Sequence, residues 1–175
     1  MTKQFEEKKF NIPKLKGISE KTIEEHLKLY SGYVKNANEI LASGKFDRRF
    51  SFEFNGIRNH EIYFSHFEGG STPLTADGPL TQAGFDLEKF KTLALTRGVG
   101  WAMLLWDPIS KQLIYNWVDE QHLGQLNSCI PILCLDMWEH SFVADYQPSG
   151  KKQYVEDFFE NLNWETCEKN FSNAK

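Results

Sequence analysis

A carboxylate and an imidazole stand four positions apart in Asp136-Met137-Trp138-Glu139-His140, directly after the apolar run 130 to 135. If that run is a buried strand and the next segment a helix opening on Trp138-Glu139-His140, both side chains converge at the strand's exit. Oxygen and nitrogen donors meeting there suit a first-row metal ion. The pattern also has a plainer explanation, in which Asp136 caps the helix, Trp138 packs in the core and His140 makes an ordinary hydrogen bond. Two more histidines bear on the choice, because His26 and His60 both fall on inward faces of predicted helices. A lone inward histidine is more often a hydrogen-bonded core residue than a ligand. Three histidines and one aspartate together make a donor set.

The elements that must position these residues follow from periodicity and punctuation. A helix is predicted over 19 to 42, with Ser19 as N-cap and Ile23, Leu27, Tyr30, Tyr33, Val34, Ala37 and Leu41 recurring at helical spacing; His26 lies on that stripe. A second helix is predicted over 46 to 66, with Phe46, Phe50, Phe54, Ile57 and Phe64 on its apolar face and His60 three positions after Ile57. The two form a hairpin about a break near Ser43-Gly44. Residues 68 to 84, rich in Gly, Pro and Thr, read as a linker, and a short helix follows to Leu95. Segments 101 to 106 and 112 to 118 are strand-like and joined by the turn sequence 107 to 111; with 130 to 135 they make a three-stranded antiparallel sheet. Helices near 138 to 146, 152 to 162 and 163 to 171 flank it. The expected class is α+β, with a helical hairpin domain over 1–70, a linker and short helix over 71–97, and an α/β domain over 98–175. Each half then supplies two of the four donors, so that a metal would clamp the halves together.

Composition narrows the field. A chain of 175 residues can bury a substantial core, and five Trp and fourteen Phe supply aromatic material for it. A net charge of −4 without a basic stripe argues against nucleic acid as the main partner. No apolar stretch is long enough to span a membrane, and the opening MTKQFEEKKF lacks a signal-like apolar run, so a soluble cytoplasmic protein is expected. Three cysteines, Cys129, Cys134 and Cys167, are odd in number and not closely paired, which fits a reducing compartment better than a disulfide framework.

Five pieces occur together in one order: Tyr33-Val34-Lys35-Asn36, Asn59-His60, Gly98-Val99-Gly100-Trp101, Asp136 to His140, and Asn163-Trp164-Glu165. On these the chain resembles the iron/manganese superoxide dismutases over about 10 to 171. The resemblance implies one iron or manganese ion held by His26, His60, Asp136 and His140, with a solvent molecule as fifth ligand and superoxide as substrate. Neutral histidines would leave enough positive charge on the ion to make bound solvent acidic. Tyr33 matches the family's active-site tyrosine, and Trp138 belongs to the same signature. Gly56 stands where many iron enzymes carry Gln, while Gln121, or its neighbour His122, falls where manganese-type members carry an amide; this arrangement favours manganese over iron, although Cys134 departs from the pattern.

Other matches are altered. A gapless match back from Tyr33 puts Glu25 at the first ligand position, whereas one deletion between Tyr30 and Tyr33 restores His26. The helical stripe favours His26, since Glu25 points about 100° away from it. With that deletion Tyr30 takes the place of a histidine that pairs with a tyrosine of the partner subunit, and the tyrosine's own position is Val143, so both ends of a gate pair are replaced. Lys151 or Lys152 is the nearest counterpart of a cation at the mouth. Glu139 matches a residue that reaches across a dimer interface to the other subunit's ligand histidine, which implies a homodimer. The alternative is a protein of the same fold acting in a non-dismutase role: metal binding, peroxidase-like chemistry or structural interaction.

Overall fold

Ser19 starts the first long helix: its side chain accepts from Thr22 N, and Glu20 follows in the first turn. The helix, α1, runs Glu20–Ser43 and stops at Gly44, whose φ of 65° is left-handed and lets its N–H reach Ile40 O and Leu41 O. Asp47 caps α2 (Arg48–Ser65), accepting from Arg49 N. Phe46 therefore precedes the second helix instead of lying on its apolar face, and it is 59% exposed. The structure, a computed structural model, describes residues 3–175; Met1 and Thr2 of the opening segment lie outside the described residues.

Ahead of α1 an extended arm crosses the hairpin. Phe5 N donates to Asn38 Oδ1 while Asn38 Nδ2 donates to Phe5 O, Lys8 N donates to the Tyr30 hydroxyl, and Asn11 N donates to Glu68 Oε1. Phe10 packs on Tyr30 and Phe64.

The segment read as a linker is more ordered than Gly, Pro and Thr content suggests. Thr72 bridges to Asn163, and a one-turn helix, α3 (Pro79–Gln82), buries Leu80 with its N–H on Glu168 Oε2. Next comes α4 (Leu87–Ala94), capped by Asp86. Three strands follow: β1 (Gly100–Asp107), β2 (Gln112–Asp119) and β3 (Ile130–Asp136), antiparallel in the order β2-β1-β3. The Asp107 carboxylate accepts from Ile109 N and Ser110 N and so closes the hairpin. Central β1 is apolar and buried almost throughout, as a strand covered on both faces must be. The β1–β3 register shifts between Leu104 and Leu105, beside Pro131, which has no N–H to give a ladder.

After β3 the expected helix over 138 to 146 does not form as one piece. A 3-10 turn (Glu139–Ser141) and a single turn, α5 (Val143–Tyr146), take its place, broken at Phe142 with φ −144°. The cause is local: Ser141 Oγ donates to Asp136 O and Trp138 O, offering the backbone a tighter turn than an α-helix. Helices α6 (Lys151–Asn161) and α7 (Trp164–Ala174) complete the chain, separated at Leu162 by extended backbone and restarted by the Asn163 cap. α2 and α7 pack against β3, and Tyr63 of α2 stacks on Phe158 of α6 at 5.8 Å. Wholly buried Ile57, Phe64 and Phe158 each contribute roughly 1.5–3 kcal/mol relative to exposure. Among the described residues no helix is long and apolar enough to cross a membrane.

Candidate metal centre

Four elements bring one donor each to a single point. His26 comes from the inward stripe of α1, His60 from that of α2, Asp136 from the last position of β3 and His140 from the 3-10 turn. Their donor atoms all lie within 4.8 Å of one another, with three of the residues buried and His140 partly so. Asp136 Oδ2 is 3.1 Å from His26 Nε2, 3.1 Å from His140 Nε2 and 3.5 Å from His60 Nε2. Glu25 is exposed and paired with Lys28 at 2.7 Å, and α1 passes through this region as unbroken α-helix, so the register with His26 inward is the one the fold builds.

The chain fixes how each donor faces. Asp136 Oδ1 accepts from Trp138 N at 2.8 Å, which leaves Oδ2 to the histidines, and Asp136 O accepts from Tyr154 at 2.9 Å and Ser141 at 3.0 Å. His60 Nδ1 donates to Gly56 O at 2.6 Å, so the proton of a neutral ring sits there and Nε2 presents a lone pair. That Nε2 is buried without a hydrogen-bond partner, as is His26 Nδ1. Burial, with His26 beside it, pushes His60 down to about 3 against the pull of Asp136, and burial likewise lowers His26. For Asp136 burial works the other way, but His140 and His26 outweigh it and hold the carboxyl well below the usual range. Neutral imidazoles around an ionised carboxylate are the protonation states metal binding requires, and a cation would satisfy the orphaned nitrogen of His60. The donor set therefore fits one iron or manganese ion.

A second layer reaches the centre through Tyr33. Its ring lies 5.1 Å from that of His60, and its hydroxyl accepts from Gln121 Nε2 at 3.1 Å. Gln121 Oε1 accepts from Trp101 Nε1 at 3.0 Å and Gln121 O from Asn59 Nδ2 at 3.0 Å. An indole only donates, so it fixes which way the buried amide points. Because Gln121 is the donor to Tyr33, the tyrosine keeps its own proton free. Burial first, then Asp136 and Glu53, raises Tyr33 above an ordinary phenol. Gly56 is what admits the ring: a Cβ there would lie 2.5 Å from Tyr33 Cδ1. His122 stands apart, its ring 5.8 Å from Phe52, so of the two neighbours it is Gln121 that meets Tyr33. Trp138 stacks on His140 at 5.8 Å and donates to Glu120 O.

Tyr30 departs from the gate role. It is buried, with its hydroxyl accepting from Lys8 N at 2.9 Å and donating to Glu61 Oε1 at 3.2 Å, and burial pushes it up to about 12. The N-terminal arm, not a mouth, claims it, because the arm brings an unpaired N–H that needs an acceptor. Val143 is half-buried at the start of α5. Lys151 Nζ donates to Thr96 O at 2.6 Å, whereas Lys152 is exposed. Glu139 is exposed and, among the described residues, makes no side-chain hydrogen bond; Arg97, Val99, Phe142 and Lys151 line the hollow beside it. Trp101, Ser141, Tyr63 and Tyr154 were not assigned these roles by sequence. Trp101 alone carried a signal, the Gly-Val-Gly-Trp element; the others act through bonds across the fold.

Residues 84–170 match the model of iron/manganese superoxide dismutases, C-terminal domain. The chain is 30% identical to the superoxide dismutase [Mn/Fe] of Aeropyrum pernix, over 85% of its own length and 80% of the relative's. It is 30% identical to the superoxide dismutase [Fe] of Cupriavidus metallidurans, over 92% of both. With the superoxide dismutase [Mn] 2 of Halobacterium salinarum the identity is 34%, over 66% of this chain and 60% of that one.

Proposed function

The chain belongs to the iron/manganese superoxide dismutase family, and from that premise we infer that it converts superoxide to oxygen and hydrogen peroxide at His26, His60, Asp136 and His140. The observation that carries this reading is the convergence of three imidazoles and one carboxylate on a buried point, with a phenol, an amide and an indole bonded in series beside it. When bound, the iron or manganese ion supplies the alternating one-electron chemistry. The residues supply the rest. Peroxide formation consumes protons, and Tyr33 Oη holds one that Gln121 leaves free; its raised pKa keeps the phenol protonated at neutral pH, so the hydroxyl is present as a hydrogen-bond donor. Trp101 keeps the Gln121 amide from turning, Asn59 holds the Gln121 main-chain carbonyl, and Trp138 stacks on the partly buried His140.

Manganese is the preferred metal on this reading, supported by Gly56 and by the amide coming from Gln121. A homodimer is supported by the resemblance at Glu139, which among the described residues makes no side-chain hydrogen bond and lies beside an exposed Val99; in a dimer its carboxylate would be the group that orients a ligand imidazole of the second copy. A reducing, cytoplasmic setting is supported by three free cysteines. The complete donor set speaks against a metal-free interaction module. The test is dismutation per bound metal, on protein loaded separately with manganese and with iron. Fast turnover with manganese supports the assignment in full; stoichiometric metal of either kind without turnover overturns it.

A further inference from the structure

Because β3 is an edge strand, only one side of its backbone is paired by β1, yet its other side is buried under helices. Buried main-chain groups need partners, and here side chains stand in for a missing strand. Ile132 O accepts from Asn170 Nδ2 at 3.2 Å, Cys134 N donates to His66 Nε2 at 3.2 Å, and Asp136 O takes the Tyr154 and Ser141 hydroxyls. Among the described residues His66 is the one that holds an N–H of this edge. Since Nε2 accepts, the proton of the neutral ring lies on Nδ1, which faces Cys167 Sγ of α7 at 3.7 Å. The ring is fully buried, against Phe158. His66 also caps α2, the helix that carries His60, and Cys134 lies two residues before Asp136 on the same side of the pleat.

We propose that His66 is a positioning residue that fixes the Asp136 carboxylate relative to the His60 imidazole, by tying the end of α2 to the free edge of β3. The proposal rests on the metal reading above. A slip of β3 along α2 moves Asp136 Oδ2 away from the three nitrogens, and the His66–Cys134 bond is what resists that slip. Cys167 holds the far side of the ring, so its removal has the smaller effect.

The experiment compares His66→Leu, which removes the acceptor, His66→Gln, which keeps one, and Phe171→Leu, a core change in α7 with no polar bond to β3. Two quantities are read on the full chain: hydrogen exchange of the Cys134 amide in metal-free protein, and the ferric EPR line shape with the iron release rate in loaded protein. We expect His66→Leu to expose the amide, alter the line shape and release iron about 10-fold faster or more, the scale seen when a metal ligand's outer support is lost. His66→Gln stays within a few-fold of the parent, and Phe171→Leu keeps the parent line shape. If His66→Leu does not fold, His66→Asn, too short to reach the amide, takes its place; should that fail too, the amide exchange rate and the iron release rate must rise together in Cys167→Ala, by less than 10-fold, while His66→Gln stays near the parent. The proposal fails if amide protection is lost while line shape and release rate match those of Phe171→Leu, or if the two quantities do not track each other. A parent protein that takes up neither iron nor manganese would instead sink the metal reading itself.

Discussion

The helical half and the α/β half each give the centre two donors, but they aim them differently. His26 and His60 sit on long regular helices, where a residue's direction is set by its place in a 3.6-residue period and by the apolar neighbours that bury that face. Asp136 and His140 sit on a strand end and a 3-10 turn, where direction comes from individual hydrogen bonds: Trp138 N on Oδ1, and Tyr154 and Ser141 on the carbonyl. Periodicity spreads a constraint over many residues, while a hydrogen-bonded turn concentrates it in a few. The first half should therefore hold its metal through changes around its ligands, except where a ring packs on bare backbone at Gly56, whereas the second should release metal faster when any one of its bonds is removed.

The largest effects come from the donors themselves. His26→Ala and Asp136→Ala should each abolish stoichiometric metal binding, measured by metal content after reconstitution; retention of metal by either would remove that half from the site. Gly56→Ala tests the helical half where it is tightest, because the added methyl meets Tyr33. A cost of about 1–3 kcal/mol in denaturant unfolding is expected, with a fall in turnover.

Acid should strain the helical half through α2, which carries His60 and ends at His66. His60 and His66 are each held near 3 by burial, well below the ordinary imidazole value, so the unfolded chain binds more protons than the fold between those limits. Stability of the metal-free protein is therefore level above about pH 7 and declines as pH falls from about 6.5 towards 3. Denaturation midpoints from pH 4 to 7.5 that stay flat would contradict the neutral, buried state of these rings. Smaller still is Tyr154→Phe, which strips one of two donors from Asp136 O and the partner of Tyr63; on the order of 1 kcal/mol is expected, with faster metal release. Glu25→Ala should leave metal content unchanged, and loss of metal there would restore the rejected register.

The same contrast explains what could be read in the sequence. His26 and His60 were legible because their helices are periodic, and the sheet because its strands are apolar and bounded by turn residues. Asp136 and His140 were legible as a motif, but the backbone between them was not: the composition of 138 to 146 suits a helix, and nothing local marks Ser141 as the residue that folds back on Asp136. Choosing between Gln121 and His122 needed the direction of a loop in which Glu120 has φ 53°. The hydrogen-bond partners of Tyr30 were not legible, because Lys8 and Glu61 are 22 and 31 residues away. Contacts of that range leave no periodic trace.

The arm is held to the hairpin through main-chain amides at Phe5, Lys8 and Asn11, one in every three residues, which meet Asn38, Tyr30 and Glu68. Position 8 carries two constraints, since its N–H meets Tyr30, which forbids proline, and its ammonium pairs with the buried Glu61 carboxylate at 3.0 Å, which favours a long cation. Length is constrained as well: one inserted or deleted residue between 5 and 11 would put at least one of the three anchors out of step, so this stretch should vary among descendants by substitution and seldom by indel.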